Sequence, residues 1–252
     1  MSVSDGSGIP AACGGIKLTA PRRRYGAGTS KNKIIAVRCN FIHLGMRIFI
    51  LLSVFLLLSC SKKQVTETTV VGIIPYKGIS DEKVAMLRTS ITEYYGVDTR
   101  LLAVKALPKK AFINIKSPRY RADSLIAIQQ RDVPEGVDYI LGLTESDISV
   151  TKKNDEGKVK EPEWKYNDFG IMGLAYCPGK SCVVSGFRLK HKDKEVHFGR
   201  FKKVVIHELG HNFGLPHCPN KKCVMTDAVE KIKTIDDARP ELCSKCKGKI
   251  GI

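Results

Sequence analysis

Apolar residues recur along the chain with two different spacings, and each change of spacing marks an element. Thr69 to Pro75 is a short, almost continuous apolar run, which predicts a buried strand. From Ser80 to Tyr95 the apolar positions Val84, Met86, Leu87 and Ile91 fall near helical spacing. Ser80 can cap this segment, with Glu82 and Lys83 in the first turn, so a helix is expected. Thr99 to Ala106 predicts a second strand, Ala122 to Gln130 a second helix just after Ser117-Pro118, and Tyr139 to Leu143 a third strand. Gly157 to Lys165 is charged and loop-like. Gly173 to Leu189 predicts a hairpin, because two apolar runs flank a turn containing Pro178-Gly179. Strands alternating with helices point to an α/β fold.

A further apolar set, Phe201, Val204, Val205 and Ile206, leads into His207-Glu208-Leu209-Gly210-His211-Asn212-Phe213-Gly214-Leu215-Pro216-His217. On a helix, His207 and His211 lie one turn apart on one face, a spacing at which two imidazoles can hold one Zn²⁺. Glu208 is offset around the helix and can reach a water held there. Gly214 can leave the helix through a left-handed conformation, and Pro216 discourages its return. The turn can therefore bring His217 back as a third ligand, leaving one coordination position open, as in a catalytic zinc site.

Beyond His217 come Cys218, Cys223, Met225, Cys243 and Cys246. A C-x4-C pair and a C-x-x-C pair can supply four thiolates to a tetrahedral structural zinc. Two disulfides are the competing reading, stronger if the protein leaves the cytoplasm. Cys177 and Cys182 straddle the hairpin turn and could form a local disulfide or remain free; they are not assigned to the zinc site.

The whole run from Val205 to Lys247 resembles the archaemetzincins, a branch of the metzincin metallopeptidases. The resemblance implies a metzincin-like zincin domain: a mixed twisted sheet with a backing helix and an active-site helix, plus a small zinc-stapled C-terminal lobe. It implies two Zn²⁺, one catalytic on His207, His211 and His217, and one structural on Cys218, Cys223, Cys243 and Cys246. Glu208 is then the catalytic base of a zinc-dependent peptidase acting on a peptide or protein. Met225 resembles the Met-turn methionine, an apolar floor beneath the metal. In this family the antiparallel edge strand of the sheet borders the cleft and pairs with extended substrate; the first hairpin limb, Ile171 to Tyr176, is the candidate. A zinc-binding module without activity and a hydrolase of non-peptide substrates are the alternatives; Glu208 argues against the first.

Composition and charge change the picture upstream. Met46 to Cys60 reads as a start methionine, one positive charge, an apolar run too short to span a bilayer comfortably, and Leu57-Leu58-Ser59-Cys60. That ending resembles the lipobox of bacterial lipoproteins. The resemblance implies a signal peptide over 46–59, lipidation of Cys60, a polar tether over 60–68 and a peptidase domain over 69–252. The product would be an extracytoplasmic protein anchored to the membrane through Cys60. Residues 1–45, rich in Gly, Ser, Ala and Arg, are then expected to be a non-native or disordered extension, with translation beginning at Met46. The full chain carries a formal charge of +17; residues 1–45 contribute +6 and Arg47 one more, leaving +10 for 60–252. The lysine clusters read as a solvated surface. No nucleic-acid module is readable, so no nucleic-acid partner is expected, and one domain of this length is expected to be a monomer.

Overall fold

The computed structural model describes residues 65–227 and 231–252. Cys60 and the segments 1–45 and 46–59 lie outside the described residues. The central sheet is built from β1 (Val70–Pro75), β2 (Asp98–Leu101), β5 (Tyr139–Thr144), β8 (Gly173–Ala175) and β9 (Ser181–Ser185), in the order β2-β1-β5-β9-β8. All neighbours run parallel except β8, which pairs antiparallel with β9 in the register Gly173↔Val184. This is a mixed α/β fold of the expected kind.

Side chains alternate across a strand, and here the alternation divides the core in two. Val71, Ile73, Leu141, Leu143, Cys182 and Val184 face one apolar cluster. Ile74, Ile140 and Val183 face the other. The first cluster is closed by α1 (Asp81–Tyr95) and α4 (Lys194–Asn212), the second by α2 (Ala122–Gln129). The Ser80 hydroxyl accepts from the Lys83 amide at the start of α1, and Gly96 ends it in a left-handed conformation, φ 65°. Asp193 caps α4 by accepting from the amides of Glu195 and Val196.

The structure differs from the sequence reading in four places. The strand expected over Thr99 to Ala106 stops at Leu101; beyond it the Leu102 amide still donates to the Ile73 carbonyl, and Lys105 bridges Tyr76. The edge strand expected over Ile171 to Tyr176 is divided: β8 begins at Gly173, while Ile171 ends β7 (Phe169–Ile171). Strand β7 belongs to a second sheet that the apolar pattern did not announce. That sheet has the order β3 (Phe112–Asn114), β4 (Pro118–Arg121), β6 (Ile148–Val150), β7. Its strands are only three or four residues long, too short to display a period. The segment Gly157 to Lys165 contains the start of a one-turn helix, α3 (Glu163–Tyr166).

The C-terminal part carries α5 (Ile232–Asp237) and α6 (Ser244–Ile250). Its apolar residues Val224, Met225, Ile235, Leu242 and Ile250 join the same cluster as Leu87 and Phe201, so this lobe shares the main core. Val65, in the stretch read as a tether, is buried and donates its amide to the Ile250 carbonyl at 3.2 Å. Among the described residues no helix is long and apolar enough to cross a membrane.

Candidate active site and metal centres

Helix α4 carries His207 and His211 one turn apart, and the chain leaves it at Gly214 with φ +93°, a conformation that favours glycine. The Leu215 amide donates to the Gly210 carbonyl at 2.9 Å, closing the turn that returns His217 to the same face. The three rings lie 4.6 to 5.3 Å apart between centroids, and their ligand nitrogens are all within 4.8 Å of one another.

Ring orientation is set by backbone carbonyls. His207 Nδ1 lies 2.8 Å from the Val224 carbonyl, and His211 Nδ1 2.7 Å from the Leu215 carbonyl. A carbonyl can only accept, so each Nδ1 carries the proton and each Nε2 presents its lone pair. Those two Nε2 atoms face each other at 3.0 Å. Nitrogens at about 2.05 Å from a tetrahedral zinc would stand about 3.3 Å apart, so the pair fits one cation. Burial, with the charges of its histidine neighbours, pushes the His207 imidazole down to about 3; burial likewise pushes His211 down to about 4. Both are therefore neutral near pH 7, the form that binds a metal. His217 Nδ1 stands 3.8 Å from the Asp227 carboxylate.

Glu208 is 7% exposed, and burial raises its carboxyl to about 8. It packs against the edge strand: a Cβ on Gly173 would meet Glu208 Oε1 at 2.6 Å. Beneath the helix, a Cβ on Gly210 would meet Met225 Sδ at 2.5 Å, which places Met225 under the histidine turn. Tyr95 holds the helix from the same side, donating its hydroxyl to the Ile206 carbonyl at 2.6 Å. Asn212 donates to the Tyr176 and Ser181 carbonyls at 3.2 and 3.1 Å, and so ties the edge hairpin to the end of α4.

The four downstream cysteines form a second cluster. Cys218 Sγ is 3.7 Å from Cys243 Sγ, and Cys223 Sγ 3.9 Å from Cys246 Sγ. A disulfide holds its sulfurs at about 2.05 Å, whereas four thiolates at about 2.3 Å from a tetrahedral zinc stand about 3.8 Å apart. All four thiols are free. The Cys243 amide also donates to Cys223 Sγ at 3.3 Å, and hydrogen bonds, first that of the Cys246 backbone, bring the Cys243 thiol down to about 7. The donor set suits zinc. Cys182 is a buried free thiol on β9, so it is not bridged to Cys177.

The clusters are joined by more than the His217-Cys218 peptide bond. Val224 accepts from His207, Met225 accepts from the Cys218 amide at 2.8 Å, and the Val224 amide donates to Glu241. These carbonyls are invisible to a reading of residue types. A cleft of about 610 Å³ runs past the three histidines and Glu208, with Gly173, Leu174 and Ala175 of β8 along one side.

A family model described as peptidase family M54 matches residues 160–251. The archaemetzincin of Methanopyrus kandleri is 32% identical over 157 residues, covering 62% of this chain and 79% of that protein. The chain belongs to the archaemetzincin family. The archaemetzincin of Haloquadratum walsbyi is 28% identical over 185 residues, covering 70% of this chain and 96% of that protein. The crystal structure of the Methanopyrus kandleri archaemetzincin superposes with a TM-score of 0.59 at 27% identity, covering 73% of this chain and 94% of that one. The archaemetzincin of Archaeoglobus fulgidus, solved in complex with malonate, gives 0.59 at 25% identity, covering 72% and 100%. As an archaemetzincin the chain is a zinc metallopeptidase, a hydrolase acting on peptides or proteins.

Proposed function

We propose that this chain cleaves peptide bonds with Glu208 as general acid–base, and with His207, His211 and His217 as the ligands of its catalytic zinc. The observation that carries this is the placement of one buried carboxyl in the same cleft as three converging imidazoles, against an edge strand. Bound there, zinc supplies Lewis acidity that makes water a nucleophile near neutral pH and polarises the scissile carbonyl. Glu208 accepts the proton of the attacking water and later returns it to the leaving amine. In the metal-free protein burial raises this carboxyl to about 8; a zinc ion held beside it would favour the carboxylate form that accepts the proton. The outer backbone edge of β8 offers hydrogen bonds to an extended substrate, the route by which a strand recognises peptides without reading their side chains.

The four-cysteine cluster holds the second, structural zinc in this reading, for two per chain. Sulfur spacing near that of a thiolate tetrahedron supports it. Met225 serves as an apolar floor, not a ligand. The lipobox-like Leu57 to Cys60 supports attachment to the membrane through a lipidated Cys60, with residues 69–252 working as a monomer outside the cytoplasm. Mass analysis of the mature N-terminus tests this; a peptide from residues 1–45 in the native protein would refute it.

The test of function is turnover of a mixed peptide library. Cleavage is expected to stop with a chelator and with Glu208→Ala, while Glu208→Ala keeps its zinc. A zinc-loaded Glu208→Ala protein with full activity would remove Glu208 from the mechanism.

A further inference from the structure

The catalytic cleft continues beyond the edge strand into a cationic end, and one arginine there is set for an anionic partner. Arg188 lies just after β9 and lines the cleft. Its Nε and Nη2 are held by both oxygens of Asp147 at 2.7 and 2.9 Å. Asp147 is 5% exposed and is held in turn by Arg119 Nε at 3.2 Å; Arg119 also faces Asp168 at 3.5 Å. Two guanidinium groups and two carboxylates thus balance. They also fix the Arg188 fork in one orientation, with the side chain about one-third exposed. Asp147 occupies only one edge of that fork. A guanidinium carries five donors, so Nη1 keeps donors for a second acceptor.

The position of the guanidinium gives its purpose. It fills the space above Gly170 so closely that a Cβ there would overlap it. Gly170 is three residues upstream of Gly173, against which Glu208 packs. At an extended rise that separation is at most about 10 Å, the span of two or three residues of an extended peptide. A peptide pairing antiparallel with β8 runs from Ala175 towards Gly173, so its C-terminal half continues towards Gly170 and Arg188. Antiparallel pairing is slightly the more stable arrangement per residue, and a cation at this end also draws in a chain's carboxyl end. Lys116 lines the same cleft, as does Asp168, whose carboxylate faces Arg119.

We infer that Arg188, aimed by Asp147, receives a carboxylate of the substrate two or three residues beyond the scissile bond on its C-terminal side. The enzyme's substrates are then short peptides presenting a free C-terminus there, or longer chains with Asp or Glu at that position. This rests on the peptide-cleaving reading of the cleft. A bidentate or charge-assisted contact in a half-buried site is worth about a tenfold gain in affinity or more.

The zinc-loaded Glu208→Ala protein allows binding to be read apart from turnover. Three hexapeptides of one neutral sequence serve as probes: a free acid, its C-terminal amide, and the amide with one aspartate among its last three residues. At low salt at least one carboxylate-bearing peptide is expected to bind about tenfold tighter than the neutral amide. Preference for the free acid alone identifies a terminal carboxylate; preference for the aspartyl amide identifies a side chain. Adding Arg188→Gln should bring the ratio towards one, with Arg188→Lys intermediate. Gly170→Ala, whose methyl displaces the guanidinium without removing it, should lower the ratio too. Equal binding of all three peptides, no binding of any, or a preference that survives both Arg188→Gln and Gly170→Ala overturns the inference. Carboxylate-selective binding that is lost with Arg188→Gln, without cleavage of any library peptide by the wild type, would keep Arg188 as a carboxylate site while overturning its place relative to a scissile bond. Cleavage without selectivity would keep the peptidase reading and overturn this one.

Discussion

Gly173 and Glu208 touch: the carboxylate of the site helix lies where a side chain on the edge strand would have to be. The strand that is expected to pair with substrate and the group expected to move protons are therefore placed by one contact. Gly173→Ala should push Glu208 out of position while leaving the histidines untouched. We expect kcat to fall at least about tenfold, as for a misplaced catalytic group, with zinc content unchanged. Zinc analysis alongside steady-state kinetics reads both; normal kcat would mean that Glu208 tolerates the shift.

Burial of Glu208 also has a thermodynamic signature. Its carboxyl titrates near 8 in the folded metal-free protein, against an ordinary value of 4.5. The folded state thus holds a proton that the unfolded state releases between those values, so this group's contribution to stability declines as pH rises through about 8. The metal-free Glu208→Gln protein should match wild type in melting temperature below pH 4.5 and exceed it increasingly up to about pH 8. Parallel melting curves across that range would mean the carboxyl is not desolvated.

Cys246→Ser should cost one zinc and only one. Stoichiometry is expected to drop from two per chain to one, with a marked loss of stability, since a structural zinc site is coupled to folding. Retention of two zincs, or detection of two disulfides in the wild type, would exclude the four-thiolate site.

Tyr95→Phe removes the hydroxyl bonded to the Ile206 carbonyl while keeping the ring packed edge-on against Phe213. A loss of about 1 kcal/mol is expected from denaturant unfolding, the usual worth of one hydrogen bond. No change would show that Ile206 finds another donor.

Much of the site is written in local spacing, and that part can be read from residue types. His207, His211, Gly214 and His217, and each cysteine pair taken by itself, are separated by distances that one helix turn or one tight turn can span. The first strands and helices also follow their apolar spacing. What cannot be read is set by tertiary neighbours. The carbonyls of Val224 and Leu215 orient two imidazoles, yet every residue has a carbonyl. Gly173 marks only the start of an apolar run until Glu208 is seen against it. Asp147 and Arg188 are forty-one residues apart and meet only because β5 and β9 run parallel side by side. The second sheet escapes for a different reason, since its strands are shorter than the windows that reveal alternation.

The bond from Val65 to Ile250 places the two ends of the described fold side by side, and Cys246 lies one turn before Ile250. If the chain is tethered upstream of Val65, a pull along that tether strains this bond before it reaches β1. The load then falls first on α6 and the cysteine cluster. On this view a metal on the four cysteines would act as a mechanical clamp, standing between the tether and the catalytic geometry.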